Sequence, residues 1–251
     1  MASPDYVWRS SPAGLMPSGA EVHVWRAFLD PDASCLEHLQ RSLSVDELQR
    51  AARFHFPRDR RRYTVARGVL RNILGRYLGR PPSELRFRYS AHGKPALAGA
   101  FADAGLRFNV SHSHEMALFA VTSGREVGVD IEYLGREIRG EEIAEHFFSA
   151  HERANLRALP AEMKHQAFFN CWTRKEAYIK AHGEGLSLPL DQFDVSLAPG
   201  EPAALLATRG DPQEALRWSL QTLAPGSGYV AALAVEGQGW QLTCWHWGAT
   251  P

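Results

Sequence analysis

Apolar and aromatic residues recur at helical spacing in the most regular stretch of the chain, residues 168–186. Within it, Phe168, Trp172 and Ile179 lie on one face of a helix. This pattern predicts a long helix over residues 161–181. Signals that end a helix follow directly: Gly183, Gly185 and Pro189.

A second long helix is predicted in the first half of the chain, over residues 58–78, with an apolar face that includes Val65, Val69 and Ile73. A capping-box pattern at Ser44 opens a shorter helix. The same pattern at Ser149 interrupts a helical stretch at residues 141–159. Alternating and β-branched runs predict strands at about residues 22–29, 85–89, 95–98, 107–110, 116–121, 126–132, 193–197, 216–223, 229–235 and 240–247.

Each half of the chain therefore contains a strand, shorter helices, a long helix and further strands, which predicts an α+β fold. We expect an irregular segment rich in Ser, Pro and Gly over residues 1–19. An N-terminal subdomain would then cover residues 20–124, and a C-terminal subdomain residues 125–251. The letters of the two halves are too dissimilar to establish a repeat.

Composition narrows the function classes. The 251 residues carry 28 Lys and Arg against 28 Asp and Glu, which argues against bulk nucleic-acid binding because that requires a basic surface. The odd, widely spaced cysteines Cys35, Cys171 and Cys244 indicate a reducing compartment. We see neither a signal-peptide pattern nor an apolar run approaching 18 residues. We therefore expect a cytoplasmic protein that does not bind membranes.

The long helix of the second half presents a carboxylate and an amine side by side. Glu176 and Lys180 are four residues apart, so their side chains lie one turn from each other. A helix anchored by aromatic residues and carrying such a pair is a candidate catalytic platform. The alternative is an ordinary surface salt bridge, worth about 0.2–0.5 kcal/mol.

Upstream, the stretch EVGVDIE at residues 126–132 predicts a strand with two carboxylates on one face. Asp130 and Glu132 are two residues apart, and alternate residues of a strand point the same way. Close carboxylates repel unless a cation or a proton lies between them. Together with a third carboxylate and phosphate oxygens they would suit Mg²⁺. The alternative is a solvated strand end.

Two weaker motifs carry groups that bind phosphate. The GKP turn contains Lys94, and FNVSHS at residues 108–113 predicts a strand that runs into a loop. The predicted loop carries Ser111, His112 and Ser113. Hydroxyls, an imidazole and a lysine ammonium are all suitable phosphate ligands.

Taken in order, GKP, FNVSHS, VGVDIE, WTRKEAYIK and GLSLPLDQF resemble the motif set of the 4'-phosphopantetheinyl transferases of the surfactin-synthetase-activating type. The resemblance implies two similar α+β subdomains related by a pseudo-twofold axis, with coenzyme A in the cleft between them, in a monomer. It implies transfer of 4'-phosphopantetheine from coenzyme A to a serine of an apo acyl or peptidyl carrier protein of fatty-acid, polyketide or nonribosomal peptide synthesis. Adenosine 3',5'-bisphosphate is the product that leaves.

The resemblance also implies a role for each matching residue. Asp130, Glu132 and Glu176 match the ligands of Mg²⁺ or Mn²⁺, and Glu176 is the candidate base for the incoming serine. Lys180 is expected on the pyrophosphate, where it stabilises or protonates the leaving group, and Asp130 and His112 complete the catalytic set. Residues that match the coenzyme A site are Arg50, Arg62, Lys94, Ser111, His112, Lys175 and Lys180.

Some positions depart from the family pattern or allow two interpretations. His114 follows SHS where a glycine is frequent, and several arginines replace lysines, which changes phosphate-binding geometry. Lys175 either contacts phosphate or is solvated. Candidates for docking the carrier protein are Phe147, Phe148 and Leu156, which could equally belong to the core.

Two other functions stay open. A Mg²⁺-dependent phosphoester hydrolase could use the same carboxylates, but it would need neither the GKP motif nor a second subdomain. A non-catalytic module that binds coenzyme A or carrier proteins should have lost Glu176, Lys180 or Asp130. All three residues are present.

Overall fold

Two helices of 22 residues, one in each half of the chain, are the longest elements of the fold. The computed structural model describes residues 6–12, 15, 18–183 and 188–248. The α-helices are α1 (Ala33–Arg41), α2 (Val45–Ala52), α3 (Pro57–Leu78), α4 (Gly140–Phe147), α5 (Ala150–Ala158), α6 (Ala161–His182) and α7 (Glu214–Arg217). The strands are β1 (Trp8–Ser10), β2 (Glu21–Phe28), β3 (Phe87–Tyr89), β4 (Pro95–Leu97), β5 (Leu106–Ser113), β6 (Met116–Ser123), β7 (Val127–Tyr133), β8 (Phe193–Val195), β9 (Leu205–Thr208), β10 (Trp218–Leu223), β11 (Tyr229–Glu236) and β12 (Gln241–His246).

Each long helix covers one sheet. Helix α3 packs on the five-stranded sheet, whose strand order is β1-β12-β2-β6-β5, through a core that includes Val69, Ile73 and Phe119. Helix α6 packs on the antiparallel sheet β10-β11-β7 through a second core that includes Phe168 and Tyr178. The α+β prediction is therefore confirmed.

A third core lies between the two sheets. It joins residues of β2 and β6, such as Val24 and Leu118, to residues of β7 and β11, such as Val129 and Leu233. Alternate residues of β7 thus face this core, while Gly128 and the residues in step with it face α6. The edge strands β5 and β7 come together at the junction of the two sheets.

The last strand departs from the predicted division of the chain. We expected residues 240–247 in the C-terminal subdomain, but β12 pairs in parallel with β2 of the first sheet. There Cys244 faces the core between the sheets, and Trp245 faces the core under α3. Within the segment predicted to be irregular, β1 pairs in parallel with β12. Residues 1–5, 13, 14, 16 and 17 of that segment lie outside the described residues.

Most predicted helix boundaries are close to those observed. The predicted interruption at Ser149 is confirmed, because a complete capping box begins α5 there. Gly183 ends α6 in the left-handed conformation, while Gly185 is outside the described residues. The loop predicted after FNV is wrong, because β5 continues to Ser113 and pairs there with Met116. Within the ranges given above, no helix combines the length and apolarity needed to cross a bilayer.

Candidate active site

Helix α6 approaches strand β7 unusually closely at Gly128. A Cβ at this position would lie 2.0 Å from the carbonyl oxygen of Ala177, far inside any tolerated contact. Glycine is therefore required here by the approach of two backbones. Asp130 lies two residues further along the same face of β7, where it forms an ion pair with Lys180 of α6. The strand and the helix that carry the predicted metal ligands are therefore adjacent in the structure.

Asp130 is buried, with 3% of its surface exposed, and two side chains hold one of its oxygens. Lys180 Nζ lies 2.5 Å from Oδ1, and Ser111 Oγ donates to the same oxygen at 2.7 Å. Lys180 also donates to Ser111 Oγ at 3.1 Å. Lys180 is therefore engaged by a buried carboxylate of another element. The second oxygen of Asp130, Oδ2, is buried and has no hydrogen-bond partner among the described residues.

The two candidate glutamates share one electrostatic environment with Asp130. Burial raises the pKa of Glu132; a hydrogen bond of 2.8 Å from Ser113 Oγ opposes that rise, and Asp130 adds to it. Burial also raises the pKa of Glu176, where Lys180 opposes the rise and both other carboxylates add to it. In the part of the chain that the structure describes, no three Asp, Glu, His or Cys side chains are arranged as a metal site.

His112 and Arg62 bring the N-terminal half to this cluster. His112 is an exposed residue of β5 that the surrounding protein nevertheless desolvates in part. Its pKa is lowered by that desolvation, then by the charges of Lys180 and Arg62. Arg62 is itself held by ion pairs with Asp30 at 2.7 Å and Glu115 at 3.6 Å. Cations of both halves therefore act on one imidazole.

Lys94 of the GKP turn joins the two halves directly. Its Nζ lies 3.0 Å from a carboxylate oxygen of Glu126 and donates to the carbonyl of Ala181 at 2.9 Å. That carbonyl belongs to the last turn of α6, where a cation is favoured. A cavity of about 330 Å³ adjoins the turn and is large enough for a small ligand. Its wall includes Tyr89, Ser90, Lys94, Pro95, Glu126 and His182.

The structure contradicts both interpretations of Lys175. Its side chain has no exposed surface, and its Nζ lies 2.8 Å from Glu152 Oε2, whose side chain is equally buried. The ammonium also donates to the carbonyls of Leu190 and Phe193 at 2.6 and 2.7 Å. Lys175 is therefore neither solvated nor free to contact phosphate, because all of these bonds lie within the core beneath α6.

Two further groups of predicted residues lie away from the Asp130 cluster. Arg50 is exposed at the end of α2, with its guanidinium 5.9 Å from the ring of Tyr63. Of the proposed carrier-docking residues, Phe148 and Leu156 are core residues, as the alternative predicted. Only Phe147 is exposed, at 41% of its surface.

The sequence did not predict the contacts that two residues of strand β5 make with β7. Ser113 Oγ donates to Glu132, and Asn109 Oδ1 accepts a bond of 3.0 Å from the amide of Val129. Both are in step with Ser111 along one face of the strand. The alternation of polar residues in FNVSHS is the signal of this strand face, although the same stretch also fits a strand that runs into a loop.

Comparisons with known proteins bear on the whole arrangement. The family described as "4'-phosphopantetheinyl transferase, N-terminal" matches residues 28–124, and the "4'-phosphopantetheinyl transferase superfamily" matches residues 126–234. The chain is 46% identical to the 4'-phosphopantetheinyl transferase HetI of Nostoc sp., over 96% of this chain and 99% of that protein. It is 33% identical to the 4'-phosphopantetheinyl transferase Sfp of Bacillus subtilis, over 64% of this chain and 69% of that protein. Among solved structures, Helicobacter pylori holo-[acyl-carrier-protein] synthase in complex with coenzyme A covers 44% of this chain and 99% of its own, with 19% identity and a TM-score of 0.33.

Proposed function

Because this chain belongs to the 4'-phosphopantetheinyl transferase superfamily, we propose that it transfers 4'-phosphopantetheine from coenzyme A to a serine of an apo acyl or peptidyl carrier protein. The serine oxygen forms a bond to the phosphorus next to the pantetheine. The bond from that phosphorus to the bridging oxygen breaks, and adenosine 3',5'-bisphosphate leaves. The observation that carries the proposal is the Lys180–Asp130–Ser111 cluster, in which both halves of the chain converge.

We assign the divalent cation, Mg²⁺ or Mn²⁺, to Asp130, Glu132 and Glu176. The donor set fits, because hard cations take carboxylate oxygens, and Asp130 Oδ2 is a buried oxygen that lacks a partner among the described residues. Burial and mutual repulsion raise the pKa of both glutamates, so a nearby cation would favour their charged forms. When bound, the cation offsets negative charge on the pyrophosphate.

Glu176 is the proposed base. Its carboxylate, in the charged form that the cation would favour, can take the proton of the serine hydroxyl. Lys180, one turn further along α6, is proposed to stabilise the leaving phosphate. To do so its ammonium must share its bonds between the phosphate and Asp130.

The remaining coenzyme A contacts are proposed from the N-terminal half. Ser111 and His112 of β5 would hold the phosphates beside Lys180. Lys94, on the wall of the 330 Å³ cavity, would lie near the nucleotide. Arg62 and Arg50 supply positive charge for the 3'-phosphate. A monomeric state and a cytoplasmic location stay predictions from the sequence.

The test is intact-mass spectrometry of an apo carrier protein incubated with the enzyme, coenzyme A and Mg²⁺. We expect a gain of one phosphopantetheine, lost with EDTA and in Glu176→Gln. The matched control is Glu162→Gln, an exposed glutamate in the first turn of the same helix, which should retain activity. Modification of neither acyl nor peptidyl carriers while coenzyme A still binds would indicate the non-catalytic module. Release of adenosine 3',5'-bisphosphate without a carrier would indicate the hydrolase.

A further inference from the structure

Strand β5 sends every second side chain toward β7, although the two strands belong to different sheets. These side-chain bonds take the place of a main-chain ladder at the junction. In order along β5 they join Asn109 Oδ1 to the Val129 amide at 3.0 Å, Ser111 Oγ to Asp130 Oδ1 at 2.7 Å, and Ser113 Oγ to Glu132 Oε2 at 2.8 Å. The edge of one half therefore sets the orientation of both carboxylates of the other.

Ser113 makes two hydrogen bonds to β7, one to the Glu132 side chain and one to the backbone. Its hydroxyl donates to Glu132 Oε2 and accepts from the amide of Tyr133 at 3.0 Å. Because a serine hydroxyl has one proton to donate, the acceptor bond and the donor bond together fix its rotation. The hydroxyl proton therefore has one direction, toward the Glu132 carboxylate.

We propose that Ser113 is a positioning residue that orients the Glu132 carboxylate toward the divalent cation. This inference rests on the proposed function, because the cation belongs to that reaction. With alanine at 113, the Glu132 carboxylate would lose the donor that holds one of its oxygens and could rotate away. The amide of Tyr133 would lose its acceptor as well. Removing a hydrogen bond to a metal-binding carboxylate typically lowers metal affinity or activity about 10- to 100-fold.

The test uses electron paramagnetic resonance to measure the binding of Mn²⁺ to the free protein, with no coenzyme A present. Ser113→Ala should raise the Kd for Mn²⁺ about tenfold. Ser113→Thr keeps the hydroxyl and suits a strand, so it should bind Mn²⁺ within about twofold of wild type. The matched control is Ser123→Ala, at the opposite end of the β5–β6 hairpin, which should bind like wild type. Melting temperatures of all variants should stay close together.

Wild-type Mn²⁺ affinity in Ser113→Ala would overturn the proposal. An equal loss of Mn²⁺ affinity in all three variants, together with lower melting temperatures, would also overturn it, because that pattern indicates general destabilisation. The carrier-modification assay, run in parallel, separates this inference from the proposed function. If wild type modifies the carrier and Ser113→Ala binds Mn²⁺ normally, only the role of Ser113 fails. If Ser113→Ala alone loses Mn²⁺ affinity while wild type modifies no carrier, the positioning role stands and the transfer reaction fails.

Discussion

Replacing Lys175 by methionine should destabilise the protein strongly without acting directly on coenzyme A. The Lys175 ammonium and the Glu152 carboxylate are fully buried and 2.8 Å apart, and two backbone carbonyls complete the ammonium's bonds. Removing one member of a buried ion pair strands the other charge and costs about 3–5 kcal/mol. Total stabilities are typically about 5–15 kcal/mol. The variant should therefore lose a substantial share of its stability.

Thermal unfolding followed by circular dichroism measures this effect. At roughly 2–4 °C per kcal/mol for a chain of this size, we expect Tm to fall by about 10 °C. The double variant Lys175→Met/Glu152→Gln removes the stranded charge and should recover part of that loss. The matched control is Lys164→Met on the same helix, which breaks a longer, more exposed ion pair with Glu141 at 3.5 Å. It should cost less than about 1 kcal/mol.

Calorimetry below both melting temperatures decides between a structural role and a phosphate contact. Since the ammonium of Lys175 lies in the core beneath α6, the affinity of the folded variant for coenzyme A should stay within about twofold of wild type. A Lys175→Met protein with unchanged Tm and at least tenfold weaker coenzyme A binding would refute the reasoning. It would restore the phosphate contact that the family resemblance suggested.

Three further predictions concern the same region. Gly128→Ala should lower the unfolding free energy by at least about 3 kcal/mol, because the new Cβ would meet backbone atoms that no rotamer change can move. Gly19→Ala, which has open space around it, should be nearly neutral. Denaturant titration of both variants measures the difference. The pKa of His112, titrated by NMR, should lie below the ordinary value of about 6.5 and should rise in Lys180→Met. Because the folded state then binds fewer protons than the unfolded state, this histidine should lower stability as pH falls below about 6.5. A His112 pKa above that value would contradict the desolvation and charge effects given as its cause. His114 has a φ of 53° and stacks on a tyrosine ring. Both His114→Ala and His114→Gly lose the stacking, but only alanine keeps the backbone strain, so His114→Ala should be the less stable by about 1 kcal/mol in thermal unfolding.

Local periodicity was enough to predict the elements that carry the site. The apolar spacing of α6 and the alternation in β7 are properties of neighbouring residues, so both elements were predicted within two residues of their observed ends. The shared face of Asp130 and Glu132 follows from strand geometry alone. The contact between Asp130 and Lys180 was not predicted, since it joins residues 50 positions apart; the family resemblance implied only that both residues belong to one site.

Features that depend on distant partners could not be predicted in this way. Lys175 and Glu176 are adjacent on one helix, yet one lies in the core and the other at the site, because Glu152 and two carbonyls lie beneath α6 only after folding. Strand β12 was predicted as a strand but placed in the wrong half, since nothing local shows that it pairs with β2. Helix α1 was missed, although Asp32, whose carboxylate accepts from the Cys35 amide at 2.8 Å, was a recognisable cap.

The candidate site lies on the seam between the two sheets, so its geometry also depends on distant partners. Ser111 and Ser113 of β5 hold the carboxylates of β7, and Lys94 ties the GKP turn to the end of α6. The chain crosses this seam between β6 and β7 and returns across it to form β12. The orientation of the Asp130 and Glu132 carboxylates therefore depends on how the halves meet. For that reason the motifs of each half identify the reacting groups, while the side-chain bonds across the seam determine their geometry.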